Sequence, residues 1–244
     1  MSMVVPYERG EEVLVSILRT NHDSIYGTIC RQIQDKVFMN MKSNNNLTGY
    51  VAINNDLGFF LDAEKFAPLL SINDEASVLL RLSLLIENFL EVFINNVRKP
   101  GTEQFVKPSR YFTPKLEICV ALGLPLSIAN SLVKLNSIRN KLAHKIDYSM
   151  TSEDYLEIER SVNSIDINEV NPLEAFNMES LQYMFSAGVD SLMFIKNAEF
   201  SMPEKMRRLH RLVGTIYILS NKCAFFTLNE LKRQERLSMN KLKD

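Results

Sequence analysis

The stretch VLLRLSLLIENFLEVFI, residues 78–94, decides the fold class. Its apolar residues recur every three or four positions, which is the spacing of one helix face and not the alternation of a strand. Asn73 or Asp74 can cap the start of this segment, and Lys99-Pro100-Gly101 can end it. The pattern therefore predicts a long helix that buries one face in the protein core.

The rest of the chain has the same helical character. Its eight glycines and eight prolines stand mostly where a helix would begin or end, and sustained strand alternation is hard to find. The sequence therefore predicts an all-α protein. Residues 44–61 interrupt the pattern, and Tyr50–Ile53 could form a short strand or an extended arm. Further helices are expected over Asp23–Lys42, Asp62–Leu70, Thr113 to Gly123, Pro125 to His144, a segment after the capping box Thr151–Asp154, residues 172–198, a segment from Ser201, and Asn229–Lys243.

Charge and cysteine content restrict the partners of the chain. It carries 28 basic and 29 acidic residues, so a surface for a polyanion must be a local patch. The three cysteines, Cys30, Cys119 and Cys223, are far apart and lack metal-ligand spacing. They are expected to be reduced core residues, and the sequence indicates neither a metal nor a cofactor.

The sequence indicates neither export nor membrane insertion. The first twelve residues reach acidic side chains before any apolar run long enough for a signal-peptide core, which favours a cytoplasmic protein. The most apolar stretches, 79–97 and 212–228, are interrupted by charged or amide residues and lack the roughly 20 clean apolar residues of a membrane span. The sequence also lacks the usual phosphate-loop, dinucleotide, nucleophile-elbow and zinc-protease motifs.

A polar cluster, Arg139-Asn140-Lys141-Leu142-Ala143-His144, closes the helix predicted after Pro125. At about 100° per residue, Arg139, Asn140 and His144 fall within an arc of about 140°. A guanidinium can pair with phosphate oxygens and an imidazole can exchange a proton near neutrality, so this face suits phosphodiester chemistry. The aliphatic side chains on the other side of the helix belong to Leu135, Ile138 and Leu142.

The segment Leu135–His144, read as L-x-x-I-R-N-K-L-A-H, resembles the R-N-x-x-x-H motif of the HEPN superfamily of ribonuclease toxins. The preceding helix, with Phe112-x-x-Lys115-Leu116 and Ala121-Leu122-Gly123-Leu124, is similar to that of the mannitol-operon-repressor-like branch of this superfamily. The resemblance implies a HEPN-like antiparallel helical bundle as the core of the protein. Its expected divisions are an N-terminal helical extension, residues 1–70, a HEPN-like core, residues 71–165, and a C-terminal helical extension packed on the core, residues 166–244.

The resemblance also implies an activity, which is metal-independent RNA cleavage by attack of the ribose 2′-hydroxyl on the adjacent phosphate. His144 would be the general acid or base, Arg139 would stabilise the phosphorane charge, and Asn140 would position the phosphate or the imidazole. Glu87 is expected as a supporting ion-pair partner of Arg139. Superfamily members usually form a composite site from two copies, so RNA and a homodimer partner are expected, in a toxin or antiviral defence effector.

Other interpretations of the motif remain open. Arg139, Asn140 and His144 could form a structural cluster, and the repressor-like branch suggests a non-catalytic transcriptional regulator or protein-interaction module. The same face could also bind RNA without cutting it. An antitoxin or regulatory protein is a further candidate partner, although Ile146 stands where toxins silenced by adenylylation carry the modified tyrosine.

Other polar residues carry weaker signals. His22 and His210 have no carboxylate or cysteine at ligand spacing and are expected at the surface. The basic segments 205–211 and 232–236 could guide an RNA backbone, but interleaved glutamates favour solvated helix faces with pairing along the helix.

Overall fold

The computed structural model describes residues 57–144, 148–170 and 203–236. All regular secondary structure in these ranges is helical, which confirms the predicted all-α class. The predicted helices Asp23–Lys42 and 172–198 and the extended segment Tyr50–Ile53 lie outside the described residues. No helix within the described ranges combines the length and the apolar composition that a membrane span requires.

From residue 57 onward, three short helical segments precede the long helix. They are α1, Leu57–Leu61, α2, Ala63–Phe66, and a 3-10 helix, Ala67–Ser71. Pro68 stands in the first turn of the 3-10 helix, where its missing N–H costs no hydrogen bond. The single helix predicted over Asp62–Leu70 is therefore divided between α2 and the 3-10 helix.

The predicted long helix is α3, Glu75–Val97. The carboxylate of Asp74 accepts a hydrogen bond from the Ser77 backbone N–H at 2.8 Å, which satisfies a donor that the helix start leaves open. The core-facing side of α3 is buried as its spacing predicted, whereas Leu80 and Leu84 on another side are exposed.

A tight turn joins α4, Phe112–Ala121, to α5, Leu126–His144. Gly123 has a φ of +104°, which side chains with a Cβ rarely adopt. The N–H of Leu124 donates to the Cys119 carbonyl at 2.9 Å and closes the end of α4. Gly123 thus ends one helix and Pro125 precedes the next, which confirms both predicted signals.

α6, Ser152–Asn163, begins with the predicted capping box. The N–H of Asp154 donates to the Thr151 hydroxyl at 3.2 Å, and the Asp154 carboxylate accepts from the Thr151 N–H at 2.8 Å. The single-turn helix α7, Ile167–Val170, follows.

α8, Glu204–Arg233, is the longest helix of the described residues. The predicted start of a separate helix at Asn229 is wrong, because α8 continues through this residue. The side-chain nitrogen of Asn229 donates to the carbonyls of Phe225 and Val170, both at 3.0 Å, so this donor finds partners inside the core without a helix break.

The core places α8 beside α3. α8 packs against α1, α3, α6 and α7, and it is buried around most of its circumference from Leu209 to Leu231. The rings of Phe93 on α3 and Phe226 on α8 stack with their centroids 6.1 Å apart. Buried apolar side chains of these helices belong to one hydrophobic cluster, so α8 is central to the described residues.

α5 packs against α3 and runs in the opposite direction. The Glu75 carboxylate at the start of α3 accepts hydrogen bonds from the Met150 N–H at 2.6 Å and the Tyr155 hydroxyl at 2.8 Å. Met150 follows α5 closely in sequence, while Cys119, before α5, donates to the Leu90 carbonyl far along α3 at 3.5 Å. The end of α5 therefore lies near the start of α3.

Candidate functional site

The polar motif occupies the last two turns of α5. Leu135 and Ile138 are buried and anchor this part of the helix in the core. Arg139 and Asn140 are half-buried at the edge of the packed side, and His144 is exposed at the helix end. Because α5 is continuous, the three polar side chains keep their predicted spacing, with Asn140 one turn before His144.

Arg139 and Asn140 form a hydrogen-bonded pair. The guanidinium Nη1 donates to the side-chain oxygen of Asn140 at 3.2 Å. No carboxylate of the described residues pairs with Arg139, so most of its five N–H donors can bind another anion. The Asn140 amide nitrogen remains a donor because its oxygen is the atom that accepts from Arg139. The pair can therefore supply several donors to phosphate oxygens.

The imidazole of His144 is less constrained. It is exposed, and no hydrogen bond from the described residues fixes its ring. An exposed side chain can change rotamer quickly, so the ring can turn toward a ligand held by Arg139 and Asn140. The motif thus combines a partly fixed anion-binding pair with an adjustable proton-transfer group.

Glu87 is not the partner of Arg139 in the part of the chain described, contrary to the prediction. Its carboxylate pairs with Lys115 of α4 at 3.2 Å, and Glu91 pairs with the same ammonium at 2.5 Å. Lys115 is only 2% exposed. Burial disfavours its charge, but hydrogen bonds to Glu91 and Glu87 outweigh that effect and raise its pKa.

Lys115 links α4 to α3, and the sequence alone does not predict this role. It belongs to the Phe112-x-x-Lys115-Leu116 pattern, but nothing in that spacing shows that its side chain turns inward. The bond it forms fixes α4 to α3 and gives the Glu87 carboxylate a partner other than Arg139. We therefore regard Glu87 as a residue that binds these two helices together.

A second polar network lies next to the motif. Lys141 pairs with Asp154 at 3.3 Å, and the Tyr148 hydroxyl donates to the other carboxylate oxygen at 2.9 Å. Burial raises the pKa of Tyr148, and its bond to Asp154 raises it further. These contacts hold the start of α6 against the end of α5, where the motif lies.

His210 is buried on α8, so its predicted surface position is wrong. Its Nε2 lies 3.0 Å from the Leu70 carbonyl oxygen, which gives the ring a hydrogen-bond partner within the core. His210 therefore connects α8 to the 3-10 helix. His22 lies outside the described residues.

The basic segments near α8 contain several paired arginines. The sequence predicted ion pairs along the helix, and two such pairs confirm it. A third ion pair joins α8 to α6. The pairs are Arg208 with Glu204, Arg233 with Glu230, and Arg211 with Glu159. Pairing neutralises part of the charge that an RNA backbone would need.

The cysteines in the described ranges are core residues. Cys119 and Cys223 are buried and not joined by a disulfide, as the sequence predicted, and Cys30 lies outside these ranges. Burial raises the pKa of the Cys119 thiol to about 12 and also raises that of Cys223. The same ranges hold no group of three or more His, Cys, Asp or Glu side chains that could bind a metal ion.

The motif and the neighbouring network of Lys141, Asp154 and Tyr148 are therefore the candidate site, at the end of α5 beside the start of α3. Comparison of the chain with protein-family models, with curated proteins and with solved structures found no match in any of the three.

Proposed function

We propose that this chain is a metal-independent endoribonuclease of the HEPN type, acting as a toxin or antiviral defence effector. The observation that carries the proposal is the grouping of Arg139, Asn140 and His144 at the accessible end of α5. Arg139 donates a hydrogen bond to Asn140, and no carboxylate of the described residues forms an ion pair with it, so its guanidinium can bind phosphate. The opposed directions of α3 and α5 are compatible with the bundle that the resemblance implies.

These residue types can supply the charge and proton chemistry of RNA cleavage. A base removes the 2′-hydroxyl proton, the 2′ oxygen bonds to phosphorus, and the P–O5′ bond breaks as an acid protonates the leaving oxygen. Arg139 and Asn140 would stabilise the negative charge on the non-bridging oxygens. His144 would transfer a proton, and the products would be a 2′,3′-cyclic phosphate and a 5′-hydroxyl end.

A second copy of the chain is part of this proposal. The reaction uses both an acid and a base, whereas one motif supplies one imidazole. Large apolar side chains on α3 and α5 are exposed and could be covered by a second copy; they are Leu80, Leu84 and Val133. We therefore propose that two motifs form one RNA cleft in a homodimer.

The activity can be tested directly with purified protein. We expect it to cleave single-stranded RNA in the presence of EDTA and to leave cyclic-phosphate ends. Replacement of Arg139 or His144 by Ala should slow cleavage by about 100-fold or more, since each removes a charge or proton-transfer contribution. Asn140→Ala should have a smaller effect, because it removes a positioning contact. Cleavage rates and end-group analysis provide the measurement.

Two variants of the same helix serve as matched controls. Asn130→Ala removes an exposed amide, and Lys134→Ala removes a cation paired with Glu157 on α6, so both should cleave RNA like the unchanged chain. Circular dichroism should show that all variants keep their helical content. Cleavage that requires a metal ion, or that persists without Arg139 and His144, contradicts the proposal.

The exposed side chains Leu80 and Leu84 favour a second candidate function, a non-catalytic interaction module resembling the mannitol-operon repressor. Such a module would be inert toward RNA and harmless on overexpression. It would form a stoichiometric complex with a cellular protein, and Leu84→Ser would disrupt that complex. A toxic chain that cleaves RNA and forms no such complex with a cellular protein excludes this alternative.

A further inference from the structure

The loop between α3 and α4, residues 98–111, is rich in cations and lies outside the motif. We call it the connecting loop. In a chain of net charge −1 it contains four cations and one carboxylate, which are Arg98, Lys99, Lys107, Arg110 and Glu103. Arg236, just beyond α8, adds a cation because its Nη1 donates to the Arg98 carbonyl at 2.9 Å. The loop is therefore a local basic patch.

Two aromatic rings in the connecting loop face solvent. Phe105 is 80% exposed and Tyr111 is 62% exposed. The guanidinium of Arg110 lies over the Tyr111 ring, 5.2 Å from its centroid. Exposure of such rings to water costs free energy that stacking against a ligand would recover. Cations and exposed aromatic rings in one loop form a typical single-stranded nucleic-acid surface.

Internal hydrogen bonds hold the connecting loop in shape. Arg98 donates from Nη1 to the Val106 carbonyl at 2.9 Å. The N–H groups of Phe105 and Val106 donate to the Thr102 carbonyl at 2.9 and 2.8 Å. Val106 packs against the core, whereas its neighbour Phe105 remains in solvent. Because the loop backbone is already ordered, it loses little conformational entropy when a ligand stacks on Phe105.

We propose that the connecting loop, together with Arg236, binds single-stranded RNA. Phe105 and Tyr111 stack on unpaired bases, and the surrounding cations contact phosphates. The choice of RNA rests on the proposed function, and the inference adds that the bound region is single-stranded. A duplex keeps its bases stacked and so offers these rings no free base face. An acidic peptide or an anionic membrane would engage the cations but has no bases for the aromatic rings.

The connecting loop lies at the opposite end of α3 from the motif. The 23 residues of α3 span about 35 Å at about 1.5 Å per residue. A stacked strand rising about 3.4 Å per nucleotide covers this length with about ten nucleotides. The loop therefore contributes to binding and not to the chemical step, and the two can be measured separately.

The test is RNA binding by a His144→Ala chain, which keeps the oligonucleotide intact. A fluorescein-labelled single strand of about 15 nucleotides, long enough to pass from loop to motif, is followed by anisotropy. Phe105→Ala with Tyr111→Ala should raise Kd about tenfold or more. Lys107→Gln with Arg110→Gln should lower the slope of log Kd against log salt by about 0.7 for each phosphate that the loop no longer neutralises.

A matched double variant on α6, Leu156→Ala with Arg160→Gln, removes one partly exposed apolar side chain and one exposed cation. It should bind the strand like the parent chain. Thermal unfolding of the loop variants should match the parent, because the changed loop residues are exposed. This control distinguishes the connecting loop from general loss of surface charge and apolar area.

Unchanged affinity in the loop variants overturns the inference, and so does equal affinity for a duplex of the same sequence. Loop-dependent binding to an acidic peptide or to anionic vesicles, without binding to the strand, overturns it as well. If Arg139 and His144 support cleavage but the loop variants bind normally, only this inference fails. If the loop binds RNA in a chain that never cleaves it, the nuclease proposal fails and this inference stands.

Discussion

Lys222 lies in the middle of α8 with 3% of its surface exposed. Its ammonium donates to the carbonyls of Val162 at 2.7 Å and Ile165 at 3.2 Å, at the C-terminal end of α6. A helix leaves carbonyls without partners at this end and collects partial negative charge there, so the cation acts as a cap supplied by another helix. Burial nevertheless disfavours the charged form and lowers the pKa of Lys222 to about 8.

This lowered pKa predicts a pH-dependent contribution to stability. In the unfolded chain the lysine pKa returns to about 10.4. Between these values the unfolded state binds the proton more tightly than the folded state, so the contribution of Lys222 to stability rises with pH. By about pH 10 the gain reaches about 2 kcal/mol.

The measurement compares the free energy of unfolding in urea for the wild type and Lys222→Met, at neutral pH and near pH 10. The difference between the two proteins cancels opposing contributions from Cys119 and Tyr155. Burial raises the pKa of both groups, so the folded state retains their protons at high pH. A wild-type advantage that stays constant or shrinks as pH rises contradicts the prediction.

Lys115 provides a second prediction for a single residue. Lys115→Met should lower the free energy of unfolding by about 2 kcal/mol, because Glu87 and Glu91 lose the cation that compensates their charge. Lys134→Met is the matched control, since its ion pair with Glu157 is much more exposed and should contribute less than about 0.5 kcal/mol. Urea denaturation measures both effects, and equal losses would show that the burial of Lys115 has no special role.

Helix boundaries follow from the sequence where neighbouring residues determine them. Asp74 and Gly123 act within a few residues of the helix ends that they define, and both were recognised. Lys222 interrupts an apolar stretch of the sequence, and Asn229 suggests the start of a new helix. Both residues lie inside α8, and their carbonyl partners on α6 and α7 are far away in sequence. Local pattern can show that a polar side chain needs a partner, but it cannot show that a distant backbone provides one.

The candidate site shows the same difference between local signals and contacts between distant residues. Helical spacing placed Arg139, Asn140 and His144 near one another because all three belong to one continuous helix. The partner of Glu87 was predicted wrongly because that contact joins separate helices, and Lys115 is the cation that reaches it. Which side chains share a helix can be inferred from spacing, whereas pairing between helices depends on how they pack.

The capping box of α6 yields a prediction for an element. Thr151→Ala should lower the free energy of unfolding by about 1 kcal/mol, because the Asp154 N–H loses its side-chain acceptor. Ser152→Ala, one position later, removes an exposed hydroxyl outside the box and should be nearly neutral. Thermal unfolding followed by circular dichroism measures both variants. A Ser152→Ala loss as large as that of Thr151→Ala would show that the box contributes nothing specific.

Across the whole molecule, the position of α8 has the largest consequence. The sequence pattern indicated which stretches are apolar, but it did not indicate that the C-terminal part of the chain supplies a central helix. α8 packs against α1, α3, α6 and α7, so segments from each predicted division share one core. The boundaries 1–70, 71–165 and 166–244 remain predictions, and the shared core makes their independence testable.

The shared core predicts that these segments unfold together. Phe226→Ala removes the ring that stacks on Phe93 and should cost about 3 to 4 kcal/mol. Leu126→Ala is the control, since that side chain is 67% exposed on α5 and its loss should change stability little.

Native-state hydrogen exchange distinguishes cooperative from separate unfolding. In Phe226→Ala, amides of α3, α5 and α8 should lose protection by similar amounts, because α8 forms part of the core that holds the other helices. Loss of protection confined to α8, with α3 to α6 still protected, would mean that residues 71–165 fold alone. The motif on α5 would then be independent of α8, whereas joint loss makes the candidate site depend on the C-terminal helix.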